Sequence, residues 1–127
     1  MNFNAASIRG FIGAKNYQES RSFYKALGFQ ELVVGEDMCL FKVNKRLSFY
    51  LQDYYVKDWV DNSMLLLEVD NIEQCQKELL AKNLQDRFKK VRFTEIKEFD
   101  HGRDLFMHDP SGVLWHFFQF KSLSSNS

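Results

Sequence analysis

Asn16-Tyr-Gln-Glu19-Ser20-Arg-Ser-Phe23-Tyr24-Lys-Ala-Leu27-Gly28-Phe29 reads as one helix with both of its ends marked. Asn16 and Glu19, three positions apart, form a capping-box pair in which each side chain can bond the other's free backbone N–H. Tyr17, Ser20, Phe23, Tyr24 and Leu27 share one helical face, and Gly28 offers a left-handed stop. Ahead of the helix, Ile8, Gly10, Ile12 and Ala14 alternate with Arg9, Phe11 and Gly13, which predicts a strand.

The same order returns later in the chain. Met64 to Val69 is an apolar strand, Asn71 and Gln74 form a second capping pair, and Ile72, Cys75, Leu79 and Leu80 make a second stripe. Asn83 takes the part of Gly28. Asn16 to Asn71, Gly28 to Asn83 and Phe29 to Leu84 are each separated by 55 positions. A constant offset outranks single-element assignments when a fold is chosen. Strand-rich sequence follows each helix: Phe29 to Val34, Met38 to Val43 and Leu47 to Leu51, then Lys90 to Ile96, Arg103 to His108 and Val113 to Phe120. The last two strands meet across Asp109-Pro110-Ser111-Gly112, a hairpin turn. The fold class expected is α+β, with two βαβββ modules forming curved mixed sheets around a concave cavity. One domain spans residues 1–127: module one at 8–52, a linker at 53–63, module two at 64–120 and a polar, disordered tail at 121–127.

Bulk properties narrow the function. The 127 residues suffice for one core without disulfides or a structural metal. Seventeen basic residues against 17 acidic ones leave no net field to hold nucleic acid or a membrane surface. The run Lys89, Lys90 and Arg92 reads as a solvated face. Cys39 and Cys75 are 36 positions apart, with no Cys or His at zinc-ligand spacing, and read as free thiols in a reducing compartment. Met1 to Ser7 lacks a signal-peptide pattern, and no apolar run approaches the roughly 20 residues of a membrane span. A cytoplasmic location is expected. Most of the 13 Phe, 5 Tyr and 2 Trp belong to a core, with some left for a pocket or an interface.

The stretch from Asn16 to Phe29 resembles the opening motif of the vicinal-oxygen-chelate superfamily of glyoxalases, bleomycin-resistance proteins and extradiol dioxygenases. Asp109-Pro110-Ser-Gly112-Val-Leu-Trp-His116-Phe117 resembles its closing motif. Asp61-Asn62-Ser63 and His101-Gly102-Arg103-Asp104 look most like the bleomycin-resistance branch. In metal-dependent members the resemblance implies four ligands on the concave strands. Carried onto this chain, those places fall on Arg9, Phe49, Met64 and His116. A cation, a ring without a donor, a soft thioether and a single imidazole do not make a divalent site. No metal and no cofactor are expected. The bleomycin-resistance branch implies binding without reaction, in a homodimer whose subunits exchange modules to form aromatic-walled clefts. Its binders are acidic and take a cationic drug, whereas this chain is neutral and places Arg9 in the cavity.

If the Asp109–Gly112 turn is a two-residue hairpin, Leu105 opposes His116, and Leu114, His116 and Phe118 share a face with Arg103, Leu105 and Met107. Met64, Leu66 and Glu68 share a face on the fifth strand, as do Arg9, Phe11 and Gly13 on the first. The ligand-binding residues expected are Arg9, Phe11, Phe49, Trp59, Met64, Glu68, Leu105 and His116. Arg9 has an alternative as a partner of Glu68, and His116 as a structural histidine. Trp59 and Tyr55 fit a pocket, a dimer seam or a cover for the core. His101 and His108, seven apart, have no Ser or Cys at a recognisable spacing, so nucleophilic catalysis finds no support. The first reading is a metal-independent binder of a small, partly aromatic ligand. The second is a superfamily enzyme (lyase, isomerase or dioxygenase) with a non-standard or absent metal site.

Overall fold

The computed structural model describes residues 3–121. Its elements run β1 (Phe11–Gly13), α1 (Tyr17–Leu27), β2 (Gln30–Val33), β3 (Met38–Lys42), β4 (Ser48–Gln52), α2 (Lys57–Asp61), β5 (Met64–Glu68), α3 (Ile72–Ala81), α4 (Leu84–Arg87), β6 (Arg92–Phe93), β7 (Lys97–Phe99), β8 (Gly102–His108) and β9 (Leu114–Phe120). The first sheet has the order β1-β4-β3-β2, and the second has β5-β9-β8-β6 with β7 also on β8. β1 runs parallel to β4 and β5 parallel to β9, while every other pair is antiparallel. This is the mixed α+β architecture read from the internal repeat, and it includes no closed barrel. The polar tail from Ser122 to Ser127 lies outside the described residues.

Of each expected capping box, the Asn half is present. Asn16 Oδ1 accepts from the Glu19 N–H at 3.1 Å, and Asn71 Oδ1 accepts from the Gln74 N–H at 3.0 Å, so each helix start satisfies one orphan donor. Gly28 sits at φ 111°, a left-handed cap that lets its N–H return to the Lys25 carbonyl at 3.1 Å. Asn83 is also left-handed, at φ 52°, but the chain beyond it winds into the short α4 before any strand begins. Of the strand expected at Lys90–Ile96 only Arg92–Phe93, β6, is formed, and β7 follows beyond that range; both pair with β8. Cys39 and Cys75 are free thiols, the first buried and the second half-buried.

The helix-side faces of both sheets share one aromatic core. Trp115 of β9 meets Phe49 of β4 edge-on at 5.3 Å, and Tyr24 of α1 touches Phe41, Phe49 and Trp115. A buried polar chain fixes this join. Tyr24 donates its hydroxyl to Asp109 Oδ2 at 2.6 Å and accepts from Trp115 Nε1 at 2.9 Å. Asp109 Oδ1 accepts from the backbone N–H groups of Ser111, Gly112 and Val113, each at 2.9 Å. Burial, with the Asp109 carboxylate beside it, holds the Tyr24 phenol well above its ordinary pKa, so it stays a donor. Burial also pushes the Asp109 carboxyl upward, against the hydrogen bonds from Tyr24 and the turn that pull it down.

That turn is one residue longer than a two-residue hairpin. Asp109 N–H bonds the Val113 carbonyl at 2.9 Å, and Gly112 takes φ 104°, which makes a three-residue loop with a left-handed glycine. The ladder therefore pairs Phe106 with His116 and Leu105 with Phe117. A one-residue slip moves every side chain to the other face. Leu105 and Met107 are core residues, and the place expected for Leu105 in a ligand pocket is corrected accordingly.

Gly13 ends β1 under the Trp59 ring of α2. A methyl there would lie 2.6 Å from the Trp59 ring and against the Tyr54 carbonyl. Gly13→Ala is expected to destabilise the fold by about 2 kcal/mol, read as a lowered urea midpoint at unchanged slope. A midpoint equal to wild type would show that Trp59 moves freely.

A candidate ligand site on the open sheet faces

The helix-side faces are largely consumed by the core, and the opposite faces are open. On the first sheet Phe11 stacks on its cross-strand partner Tyr50 at 4.7 Å and 16°, and is 47% exposed. Beside this pair, Arg9 donates from Nε to Ser48 Oγ at 2.8 Å. Arg9 makes no ion pair with Glu68 among the described residues. Trp59, half-buried and packed on Gly13, covers the end of this face and meets Tyr54 at 5.9 Å.

Phe49 requires a correction. It is 3% exposed and points into the core, because β4 alternates and its outward members are Ser48, Tyr50 and Gln52. Phe11 pairs with Tyr50 as Leu66 pairs with His116, so Tyr50 is the counterpart of His116 in the first sheet.

On the second sheet the polar anchor is His116. Its Nδ1 lies 2.8 Å from Asp104 Oδ2, its Nε2 lies 2.9 Å from Met64 Sδ, and the Phe106 ring meets it edge-on at 4.7 Å. Asp104 is 4% exposed, and its other oxygen, Oδ1, is buried without a hydrogen-bond partner. Lys97, directly opposite Asp104 in the β7–β8 ladder, places its ammonium 5.6 Å from the Phe106 ring centre. Asp104 was absent from the residues expected here. The three-residue turn puts it on the face of His116, and the left-handed Gly112 was the signal that could have found it.

A groove of about 520 Å³ lies between the β3–β4 turn and the unpaired edge of β5. Phe49 and Trp115 line it with Leu47 and Leu66, while Arg46 and Glu68 supply charge. Of the expected residues, Arg9, Phe11 and Trp59 thus gather on the first open face, and Met64 and His116 on the second. Glu68 and Phe49 line the groove. The two open faces of one chain do not wall a common cavity, because the opposite faces are the ones packed together.

The superfamily's metal positions, corrected for register, hold Arg9, Tyr50, Met64 and His116. A guanidinium, a phenol, a thioether and one imidazole do not fit a divalent cation. Among the described residues no three His, Cys, Asp or Glu side chains come together as a metal site.

No family model matches the chain, and no curated protein matches it by sequence. Solved structures do match it. The bleomycin-binding protein of bleomycin-producing Streptomyces verticillus, complexed with copper(II)-bleomycin, superposes with a TM-score of 0.75 at 18% identity, covering 91% of this chain and 96% of that one. The bleomycin resistance determinant encoded on transposon Tn5 also gives 0.75, at 14% identity, covering 93% and 100%. An antibiotic-binding protein from a Streptomyces species gives 0.70 at 19% identity, covering 92% and 98%. Likeness at this identity speaks for the fold, and two βαβββ units sharing one core are what it matches. The chain has the fold of the glyoxalase/bleomycin-resistance proteins.

Proposed function

We propose that the chain is a metal-independent small-molecule-binding protein that sequesters a partly aromatic ligand in an apolar cleft between two copies of itself. The observation that carries this reading is the apolar character of the open faces. Phe11, Met64 at 63% exposure and Leu66 at 52% stand in water in a single chain, around a few polar anchors. Exposed apolar patches rimmed by polar groups mark binding surfaces. In one chain the two open faces turn away from each other, so a second copy is needed to close a cleft between them. Exchange of segments between copies is supported by the unpaired edge of β5 and by residues 3–10, which are exposed and outside any strand. The neighbours in fold that bind bleomycin or an antibiotic favour a ligand of that general kind. No helix among the described residues is long and apolar enough to cross a membrane.

The test couples sedimentation velocity to a thermal-shift screen of bleomycin and small aromatic carboxylates, with Arg9→Ala as control. A dimer is expected, with at least one ligand raising Tm. A ligand at a hundred times its Kd adds about 2.7 kcal/mol, or roughly 8 °C for a chain of this size. A monomer that no ligand stabilises would sink the proposal. The second reading, a metal-free enzyme of this fold, is favoured by the Asp104–His116 pair, an imidazole oriented by a carboxylate. Ligand recovered chemically changed after incubation would favour it.

A further inference from the structure

His116 sits between two groups that accept hydrogen bonds. The Asp104 carboxylate accepts at Nδ1, and a thioether sulfur such as that of Met64 can only accept at Nε2. The two contacts differ greatly in quality. Asp104 is buried and fixed in β8, whereas Met64 is 63% exposed on a flexible side chain, and its sulfur is among the weakest acceptors a protein offers. The outward N–H of His116 is thus spent on a partner that any oxygen acceptor could displace.

Three further observations say what that acceptor is. Asp104 presents Oδ2 to His116 Nδ1 and leaves Oδ1 buried without a partner, so the imidazole is the carboxylate's one side-chain hydrogen-bond contact among the described residues. Lys97 brings a positive group to the Phe106 ring that His116 touches. Phe106 and Leu66 give this spot an aromatic and an aliphatic wall. Glu68, the outward carboxylate of β5, stands farther along the sheet opposite Phe118 and lines the β5 groove.

Resting on the binding reading above, we propose that His116 donates from Nε2 to a carboxylate or phenolate oxygen of an aromatic ligand, and that the Met64 thioether is a displaceable cap over that donor. Asp104 is a positioning residue that orients the imidazole through Nδ1. The ligand class is an aromatic oxyanion, in contrast to a cationic drug.

The test follows the imidazole nitrogens of ¹⁵N-labelled protein by long-range ¹H–¹⁵N correlation during titration with 2-naphthoate. A saturable shift of His116 Nε2 is expected, with smaller changes at His101 and His108. Met64→Leu, which keeps the volume and removes the acceptor, is expected to tighten naphthoate about threefold. Asp104→Asn is expected to weaken it about tenfold while changing the affinity for neutral 2-naphthamide little. The wild-type spectra decide the matter if that variant fails to fold. Naphthoate binding that leaves His116 unmoved, or equal binding of the cation 2-naphthylmethylammonium, would overturn this inference and leave the binding reading intact. If no naphthalene probe binds at all, this inference falls, and the dimer and ligand screen above decides the binding reading.

Discussion

Asp109→Ala is expected to remove about 4 kcal/mol of unfolding free energy, a large share of what a domain of this size possesses. The magnitude follows from what the carboxylate holds. Three backbone N–H groups of the β8–β9 turn and the Tyr24 hydroxyl donate to this buried carboxylate, and of the three only Gly112 N–H keeps another acceptor, the backbone carbonyl of residue 109. Each orphaned buried donor costs roughly 1–3 kcal/mol, and relaxation of the turn toward solvent recovers part of the total. Tyr24→Phe deletes one of these bonds and also orphans Trp115 Nε1, for an expected loss of about 2 kcal/mol. In a double-mutant cycle by urea denaturation the two losses should not add, because they share the Tyr24–Asp109 bond. A loss below about 1 kcal/mol for Asp109→Ala would show that the turn is held by its backbone alone.

Trp115→Ala should cost a comparable amount, about 4 kcal/mol, for a different reason. The indole is the surface through which the two sheets meet, in contact with Tyr24, Phe29, Phe49 and Phe117. Removing it leaves a cavity at the centre of the shared core and deepens the groove beside β5, which Trp115 also lines. Trp115→Phe keeps most of the apolar contact and loses the N–H that Tyr24 accepts, so it should cost only about 1–2 kcal/mol. Circular dichroism in denaturant separates these outcomes. Equal losses for the two variants would mean that the hydrogen bond, and not the packing, joins the sheets.

Much of the architecture was legible because it rests on local chemistry. Asn16 and Asn71 start helices wherever their side chains reach an N–H three residues on, and Gly28 stops one because it tolerates a left-handed backbone. The 55-residue offset then placed the second module on the first. What escaped was registry, where one residue decides a face. Asp109 accepts three N–H groups and so widens the turn by one residue, which took Leu105 into the core and brought Asp104 to His116. Separately, an offset between β4 and β9 of 66 positions and not 67 puts Tyr50, in place of Phe49, opposite Phe11 as His116 is opposite Leu66. The direction of the open faces was hidden for another reason. That Tyr24, Phe49 and Trp115 would close together depends on contacts 85 and 91 positions apart in the chain, such as Tyr24 to Asp109 and Trp115 to Tyr24, which no periodicity records. Arg9 met Ser48, its neighbour across the β1–β4 pair, before any distant carboxylate.

The tie between Tyr24 and Asp109 also has a consequence in time. Synthesis delivers a chain from its first residue to its last at a pace of about 5–20 residues per second. The first module can assemble its helix and sheet early, but its central tyrosine and the ring surface around it wait several seconds for the closing hairpin to emerge. Throughout that interval the nascent half exposes the apolar surface it will later bury. Contacts of such long sequence separation slow folding even in the finished chain. A ribosome-bound chain stalled before Asp109 should therefore be the form most sensitive to proteases and most attractive to chaperones, and release of the final hairpin should protect both halves at once.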